Sequence, residues 1–296
     1  MTQHTTSSTR NVVLASYAGA GKTSLAEALA YTAGVIPSMG SNTNGNTIGD
    51  FEAEEVQHHH SMSTALLHFD MKETSFNILD TPGSLDFFAD TKCAIHVSDG
   101  TVLVVGASGL RSEIERAWDV IQELEIPSLI FINELDKENT NFNVTLEEIS
   151  KALSINCMPI ALPLVQETGF EGVIDLLNQK AIVPVPNSHK FQELDIPGDM
   201  VQKVEEARKK LIESAAEGSD ELLEKYLGEG ELTNKEIFQG LALATRNRSC
   251  VPVLCGSAIK NIGTTVLVDA MKDLLPSPQE RADSTPVTAS NPKNGE

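Results

Sequence analysis

The stretch that decides the fold is SYAGAGKTSL, residues 16–25, which lies between an aliphatic run and an amphipathic segment. Its end matches the phosphate-loop pattern GxxxxGK[ST], although Ser16 stands where the pattern has its first glycine. Backbone N–H groups of such a loop converge on phosphates, and the following helix adds a partial positive charge at its N-terminus. The predicted nucleotide-binding residues here are Ser16, Tyr17, Ala18, Gly19, Ala20, Gly21, Lys22 and Thr23. ATP and GTP fit this loop equally well.

Outward from this loop, short aliphatic runs alternate with segments of helical periodicity. The runs are NVVLAS (11–16), ALLHF (65–69), SFNILD (75–80), GTVLVVGA (100–107), PSLIFIN (127–133), MPIALPL (158–164) and VPVLCG (251–256). This alternation predicts an α/β fold with a mostly parallel sheet flanked by helices. The second and third runs are joined by only a few residues, which predicts an antiparallel hairpin.

Composition shifts divide the chain. We predict a main domain over 11–164 and 249–276, interrupted at 165–248 by an inserted α/β subdomain rich in charged helical patterns. Residues 34–63 lack an apolar period, which predicts a long mobile loop. Polar residues 1–10 are predicted to be disordered, and 277–296 to form a linker.

The charge balance limits the partners. The chain has 296 residues, with 22 Lys+Arg against 42 Asp+Glu, a formal net charge of −20. A domain this acidic is not expected to bind nucleic acid by itself. No apolar run is long enough to span a bilayer, and four cysteines without a CxxC pair indicate reduced thiols. We therefore expect a cytoplasmic protein without membrane partners.

A second motif follows the third aliphatic run. Asp80, at the predicted end of a strand, can hold Mg²⁺ together with Thr23. Gly83, in the sequence DTPG, leaves its backbone N–H free to approach a γ-phosphate. The loop is therefore a candidate sensor of the nucleotide state.

Two further segments could read the base. Asn133, Glu134 and Asp136 end another predicted strand, and a carboxylate there can accept two hydrogen bonds from guanine, whereas adenine offers one comparable donor. Later, the backbone of Ser257, Ala258 and Ile259 can contact the guanine O6. Guanine is the predicted base.

Together these motifs resemble elongation factor G and its paralogues. Residues 196–237 resemble the inserted subdomain of that family, and CGSAIKNIG (255–263) and DAMKDLLPSP (269–278) resemble the end of its GTPase domain. The resemblance implies a Ras-like P-loop GTPase core that binds GTP or GDP with Mg²⁺, a first switch loop at about 38–63 and a second switch after Asp80. It also implies that the full-length factor binds the ribosome, and that a second domain would follow the linker.

Three departures distinguish this chain from the family. Glu134 replaces the Lys of NKxD, which places a negative charge beside the nucleotide. Ser84 stands at the position of the catalytic His that follows DTPG, so hydrolysis is expected to be weak. Ser61 replaces the Mg²⁺-binding Thr of the first switch, within HHHSM (58–62), and keeps its hydroxyl. The substitutions indicate a divergent paralogue.

Three functions follow from these observations. The leading hypothesis is a monomeric translational GTPase domain that turns over slowly or only when stimulated. The alternative is a nucleotide-dependent binding module without meaningful turnover. An ATP-directed enzyme is disfavoured by Asp136 and by the Ser257–Ala258 segment. Zinc binding by the three consecutive histidines is also disfavoured, because neighbouring loop residues rarely point at one ion.

Overall fold

The computed structural model describes residues 5–166 and 169–284, which form two sheets with helices around them. The strands of the larger sheet are β1 (Thr9–Ala15), β2 (Ala65–Met71), β3 (Thr74–Asp80), β4 (Gly100–Gly106), β5 (Ser128–Asn133), β6 (Cys157–Pro159) and β11 (Val251–Cys255). Its spatial order is β2-β3-β1-β4-β5-β11-β6, and every neighbouring pair is parallel except β2 with β3. The predicted α/β class is confirmed.

The hairpin of β2 and β3 turns through Lys72 and Glu73, whose φ angles are 52° and 63°. Two consecutive positive φ angles give the turn a twist that matches the strands it joins. The predicted antiparallel hairpin is thus present, and it forms one edge of the sheet.

Helices cover the larger sheet because their apolar residues recur at helical spacing. The helices of the chain are α1 (Lys22–Thr32), α2 (Ala53–His58), α3 (Phe88–Val97), α4 (Glu113–Glu123), α5 (Phe142–Leu153), α6 (Val201–Ala216), α7 (Asp220–Glu229), α8 (Asn234–Arg246), α9 (Thr264–Leu274) and α10 (Pro278–Ser284). In α4, Ile114, Ala117, Trp118 and Ile121 lie on one buried face. Strands β4 and β5 are buried along their whole length, as expected for central parallel strands.

The inserted subdomain begins with a four-stranded antiparallel sheet. Its strands, in the order β10-β9-β8-β7, are β7 (Ala161–Gln166), β8 (Gly169–Asp175), β9 (Lys180–Pro184) and β10 (Phe191–Leu194). The predicted single strand 158–164 is therefore two strands. Ile160 separates them: its N–H donates to Val253 O at 2.9 Å and its carbonyl accepts from Leu176 N at 3.1 Å. The predicted boundary at 164/165 falls within β7, because one apolar run contributes to both sheets.

The subdomain also reaches α1. His189, in the loop between β9 and β10, donates from Nδ1 to Tyr31 O at 2.5 Å, and the two rings lie 4.1 Å apart. Tyr31 is near the C-terminal end of α1, the helix that begins at Lys22. The subdomain loop is therefore bonded to the helix that carries the phosphate loop.

The described residues near the two chain ends form more regular structure than their polar composition predicted. Residues 6–8 form a 3₁₀ turn and β1 begins at Thr9, and Arg10 donates to Lys272 O at 2.6 Å. In the predicted linker, α10 runs to Ser284, and Arg281 donates to the carbonyls of Leu124 and Glu125. These bonds hold segments whose polar composition suggested disorder. Residues 1–4 and 285–296 lie outside the described residues.

Candidate functional site

The phosphate loop connects β1 to α1 in the predicted place. Gly19 and Gly21 have φ angles of 87° and 85°, a region that favours glycine. A Cβ added at Gly21 would also lie 2.4 Å from Asn133 Nδ2. Ser16, at the position of the missing glycine, is buried, and its hydroxyl donates to Val104 O on the neighbouring strand. The Ser16 side chain thus connects the phosphate loop to β4 by a hydrogen bond.

Lys22 and Asp80 are both buried next to this loop. The Lys22 ammonium is buried and donates to Tyr17 O at 3.1 Å, and burial lowers its pKa to about 8. Asp80 ends β3, and burial raises its pKa to about 7 although the charge of Lys22 opposes that shift. Its Oδ1 has no hydrogen-bond partner among the described residues. A buried carboxylate oxygen without a partner is suited to a cation.

The loop after Asp80 lies against the phosphate loop. A Cβ added at Gly83 would lie 2.6 Å from Ala18 N and 2.7 Å from Lys22 Nζ, so only glycine allows this approach. Ser84 caps the 3₁₀ turn Leu85–Phe87, where its Oγ accepts from Asp86 N at 3.4 Å. Ser84 lines the same cleft as Lys22 but is engaged with its own turn.

Residues 34–63 are predicted to form a long mobile loop that includes the first switch loop at about 38–63. It contains a 3₁₀ turn at Asn42–Asn44 and the helix α2. Ser61 Oγ lies 3.1 Å from Thr23 Oγ1 and donates to Asp50 Oδ1 at 2.6 Å. The predicted metal ligands Thr23 and Ser61 are therefore brought together.

Three buried carboxylates accept hydrogen bonds from this loop, and none of them was predicted from the sequence. Glu27 of α1 accepts the backbone N–H groups of Gly40, at 2.9 Å, and of Ile48. Glu55 accepts from Met62 N at 2.9 Å and from Ser63 N at 3.1 Å. The third, Asp50, accepts from Ser61. One signal was available for Glu27: it is the single charged residue between Leu25 and Leu29 on a helix that is otherwise apolar there.

The residues predicted to bind Mg²⁺ carry the kind of ligand atom that this ion prefers. Thr23, Ser61 and Asp80 supply hard oxygen ligands, of which Asp80 Oδ1 is unpartnered in the described part of the chain. By contrast, the described residues hold no group of three or more His, Cys, Asp or Glu side chains able to bind a metal. His59 Nδ1 instead pairs with Asn42 O at 2.7 Å.

Asn133 joins the phosphate loop to the segment predicted to read the base. Its Nδ2 donates to Ala20 O at 2.9 Å, and its Oδ1 accepts from Ala258 N at 2.9 Å. The side chain is 2% exposed. Paired backbone bonds between Ser257 and Ile262, at 3.1 and 2.9 Å, close the loop that follows β11. Asn133 thus fixes the two loops relative to each other.

Glu134 and Asp136 follow in a tight turn. Lys137 N donates to Glu134 O at 3.1 Å, and Lys137 Nζ lies 2.7 Å from Glu134 Oε1. Glu134 lines the cleft, whereas Asp136 is half-buried and lies outside the residues that line it. The predicted base-reading carboxylate is close in sequence to the cleft wall, but its own side chain does not form that wall.

The motifs surround one cleft of ≈ 610 Å³. The predicted site residues that line it are Ala18, Gly19, Gly21, Lys22, Thr23, Ser61, Gly83, Ser84, Glu134, Ala258 and Ile259. The other predicted residues, apart from Asp136, are buried and do not line it: Ser16, Tyr17, Ala20, Asp80, Asn133 and Ser257. The second group supports the first, as Asn133 and Ser16 show.

The helices in the described ranges include none long and apolar enough to cross a membrane. The cysteines are free, with Cys250 and Cys255 buried, whereas Cys93 is exposed.

Comparison with known proteins agrees with this architecture. Residues 7–277 match the family described as the elongation factor Tu GTP binding domain. A solved structure of a protein from Thermus thermophilus superposes with a TM-score of 0.87 at 30% sequence identity. The match covers 92% of this chain and 41% of that chain, so the present chain spans less than half of its length. The family match takes in most of the sequence and falls on a fold that gathers the nucleotide motifs at one cleft. The chain belongs to the elongation factor Tu GTP binding domain family.

Proposed function

We propose that this chain is the guanine-nucleotide-binding domain of a translation factor similar to elongation factor G. It binds GTP and GDP with Mg²⁺ and hydrolyses GTP slowly, or only when stimulated on a ribosome. Ribosome binding is assigned to the factor as a whole, because a domain with a net charge of −20 is not expected to bind nucleic acid by itself. The domain acts as a cytoplasmic monomer.

Asn133 is the observation that carries this proposal. Its amide bonds both to Ala20 of the phosphate loop and to Ala258 of the second loop. A ligand that places phosphates on the first loop therefore presents its base to the second. This single buried side chain supports nucleotide binding across both loops.

The metal is assigned to the oxygens of Thr23, Ser61 and Asp80. Mg²⁺ bound there supplies positive charge that offsets the charge of the phosphates. Lys22 supplies a second positive charge from the phosphate-loop side. The Asp50 carboxylate orients Ser61 by accepting a hydrogen bond from its hydroxyl, with an O–O distance of 2.6 Å.

Base selection is assigned to Asp136 and to the backbone of Ser257–Ile259, in which the Ala258 N–H is donated to Asn133 Oδ1. Asp136→Asn should weaken GTP binding and favour xanthosine triphosphate, whose 2-oxo group can accept a hydrogen bond from the new amide. Calorimetry with GTP, GDP, ATP and xanthosine triphosphate measures this. Equal affinity of the wild type for ATP and GTP would refute the guanine assignment.

A second candidate is a nucleotide-dependent binding module without turnover. It is favoured by Ser84, which replaces an imidazole with a short hydroxyl engaged in its own turn. Single-turnover assays of GTP, with and without ribosomes, decide between the two candidates in a chain that includes the following domains. No hydrolysis under either condition would leave the binding module.

A further inference from the structure

Glu134 and Lys137 form an ion pair beside the nucleotide cleft. The two side chains meet at 2.7 Å, with Glu134 13% exposed and Lys137 51% exposed. The carboxylate has thus lost most of its water, while the ammonium keeps much of its own. Such a pair differs from an ordinary surface ion pair, because only one partner is hydrated.

The backbone fixes this pair. Glu134 has a φ of 68°, and the turn closes through the bond from Lys137 N to Glu134 O. Thr140 Oγ1 donates to Lys137 O at 2.9 Å and to Leu135 O at 3.3 Å. The turn begins at Asn133, which is itself bonded to both loops. The positions of both charges relative to the cleft are therefore set by the fold.

The Glu134 carboxylate also faces the phosphate loop. A Cβ added at Gly106 would lie 3.1 Å from Glu134 Oε2 and 2.9 Å from the Tyr17 hydroxyl, so the two groups lie close together. The Tyr17 hydroxyl accepts from Gly106 N at 3.0 Å, and the Arg111 guanidinium lies 5.0 Å above its ring. A bare carboxylate at this place would repel a triphosphate, and the low exposure would reduce screening of that repulsion.

We propose that Lys137 is a charge-compensating and positioning residue of the nucleotide site, and that the Glu134–Lys137 pair, rather than residue 134 alone, sets the affinity for the polyphosphate. This inference rests on the proposed function. It assigns to Lys137 the cation that this chain lacks at position 134. The pair then presents little net charge to the nucleotide, and breaking it exposes the carboxylate.

The test is a double-mutant cycle of Lys137→Met and Glu134→Gln, with calorimetry of GTP and of GMP in the presence of Mg²⁺. Lys137→Met should weaken GTP binding about tenfold, while Glu134→Gln/Lys137→Met returns to within about twofold of the wild type. GMP should respond less than GTP to Lys137→Met, because it carries fewer phosphate charges. Lys137→Arg keeps the cation and should bind GTP as the wild type does.

The matched control is Lys151→Met, which removes another lysine from an exposed ion pair, with Glu147 at 3.5 Å on α5. It should leave GTP binding unchanged. An equal loss for GMP and GTP in Lys137→Met would show that the lysine only holds the turn, and would overturn the proposal. An unchanged GTP affinity in Lys137→Met overturns this inference alone, whereas a wild type that fails to bind GTP overturns the proposed function with it.

Discussion

The two sides of the cleft are held by different means. On the base side, the neutral amide of Asn133 donates to one loop and accepts from the other, within the ends of the sheet. On the switch side, the carboxylates of Glu27, Asp50 and Glu55 accept hydrogen bonds from the first switch loop. An amide that bonds in both directions has no charge to satisfy. A carboxylate does, and its bonds can be exchanged for a cation or for water.

Because of this difference, we expect the base side of the cleft to stay fixed and the switch side to be able to open. The amide bonds of Asn133 cost little to keep buried, because donor and acceptor are both paired. Each buried carboxylate has lost its water and depends on the hydrogen bonds of the loop while it is covered, and it regains water when the loop opens. We therefore expect the base side to keep its geometry in every state, and the switch side to open first.

The largest expected effect comes from breaking the fixed wall. Asn133→Ala leaves the buried Ala258 N–H without its acceptor, which should lower the free energy of unfolding by about 2–3 kcal/mol. GTP affinity should fall about 100-fold, since both loops lose their common tie. Urea denaturation and calorimetry measure the two quantities.

The matched control for Asn133→Ala is Asn143→Ala, at an exposed position in the first turn of α5. It should change stability by less than about 0.5 kcal/mol. A loss of stability in Asn133→Ala without a loss of affinity would mean that the two loops keep their positions without this amide.

The next effect comes from releasing the switch loop. Glu27→Gln turns one acceptor into an NH₂ group that faces a backbone N–H of Gly40 or Ile48, at a cost of about 1–2 kcal/mol. Hydrogen exchange at those two amides should accelerate about tenfold, while exchange at Ala258 N stays as in the wild type. Hydrogen exchange followed by mass spectrometry or NMR measures this contrast.

Glu123→Gln is the control for Glu27→Gln, since Glu123 forms an exposed ion pair with Lys92 at 3.5 Å. Such pairs contribute little to stability. Equal acceleration on both sides of the cleft would mean that the two walls open as one unit, and the comparison would fail.

An effect of similar size is expected at Ser84, in the predicted second switch. In the full-length factor with ribosomes, Ser84→His should raise single-turnover GTP hydrolysis, by about tenfold, because an imidazole can position the attacking water. The gain is held well below the usual range for such a group because the substitution also removes the cap on Asp86 N. Ser84→Ala removes the cap without adding the imidazole and serves as the control. A wild-type rate already equal to that of Ser84→His would show that Ser84 is no handicap.

The sequence predicted the parts of the site that lie at strand ends. Lys22, Asp80 and Asn133 each follow a buried apolar run, and parallel strands bring such ends to one edge of the sheet. The α/β class and the β2–β3 hairpin followed from the same runs. These features depend on local patterns of a few residues, which the sequence displays directly.

What the sequence could not supply are contacts between side chains and distant backbone. Glu27 is bonded to residues 13 and 21 positions away, and backbone N–H groups carry no sequence signal. The ion pair of Lys137 with Glu134 was not predicted, because it depends on a turn with a positive φ at Glu134, a conformation that most residues avoid. The two sheets meet at Ile160, whereas the sequence placed the boundary at 164/165. A continuous apolar run does not show which of two sheets each residue joins.

The bond between His189 and Tyr31 has a mechanical consequence. Helix α1 is a stiff rod of 11 residues, about 16 Å long at 1.5 Å per residue. One end begins at Lys22, and the other end carries the inserted subdomain through His189. A force applied to the loop that carries His189 must either break its bond to Tyr31 or push α1 along its axis. The phosphate loop is thus connected through α1 to the loop between β9 and β10, which does not line the cleft.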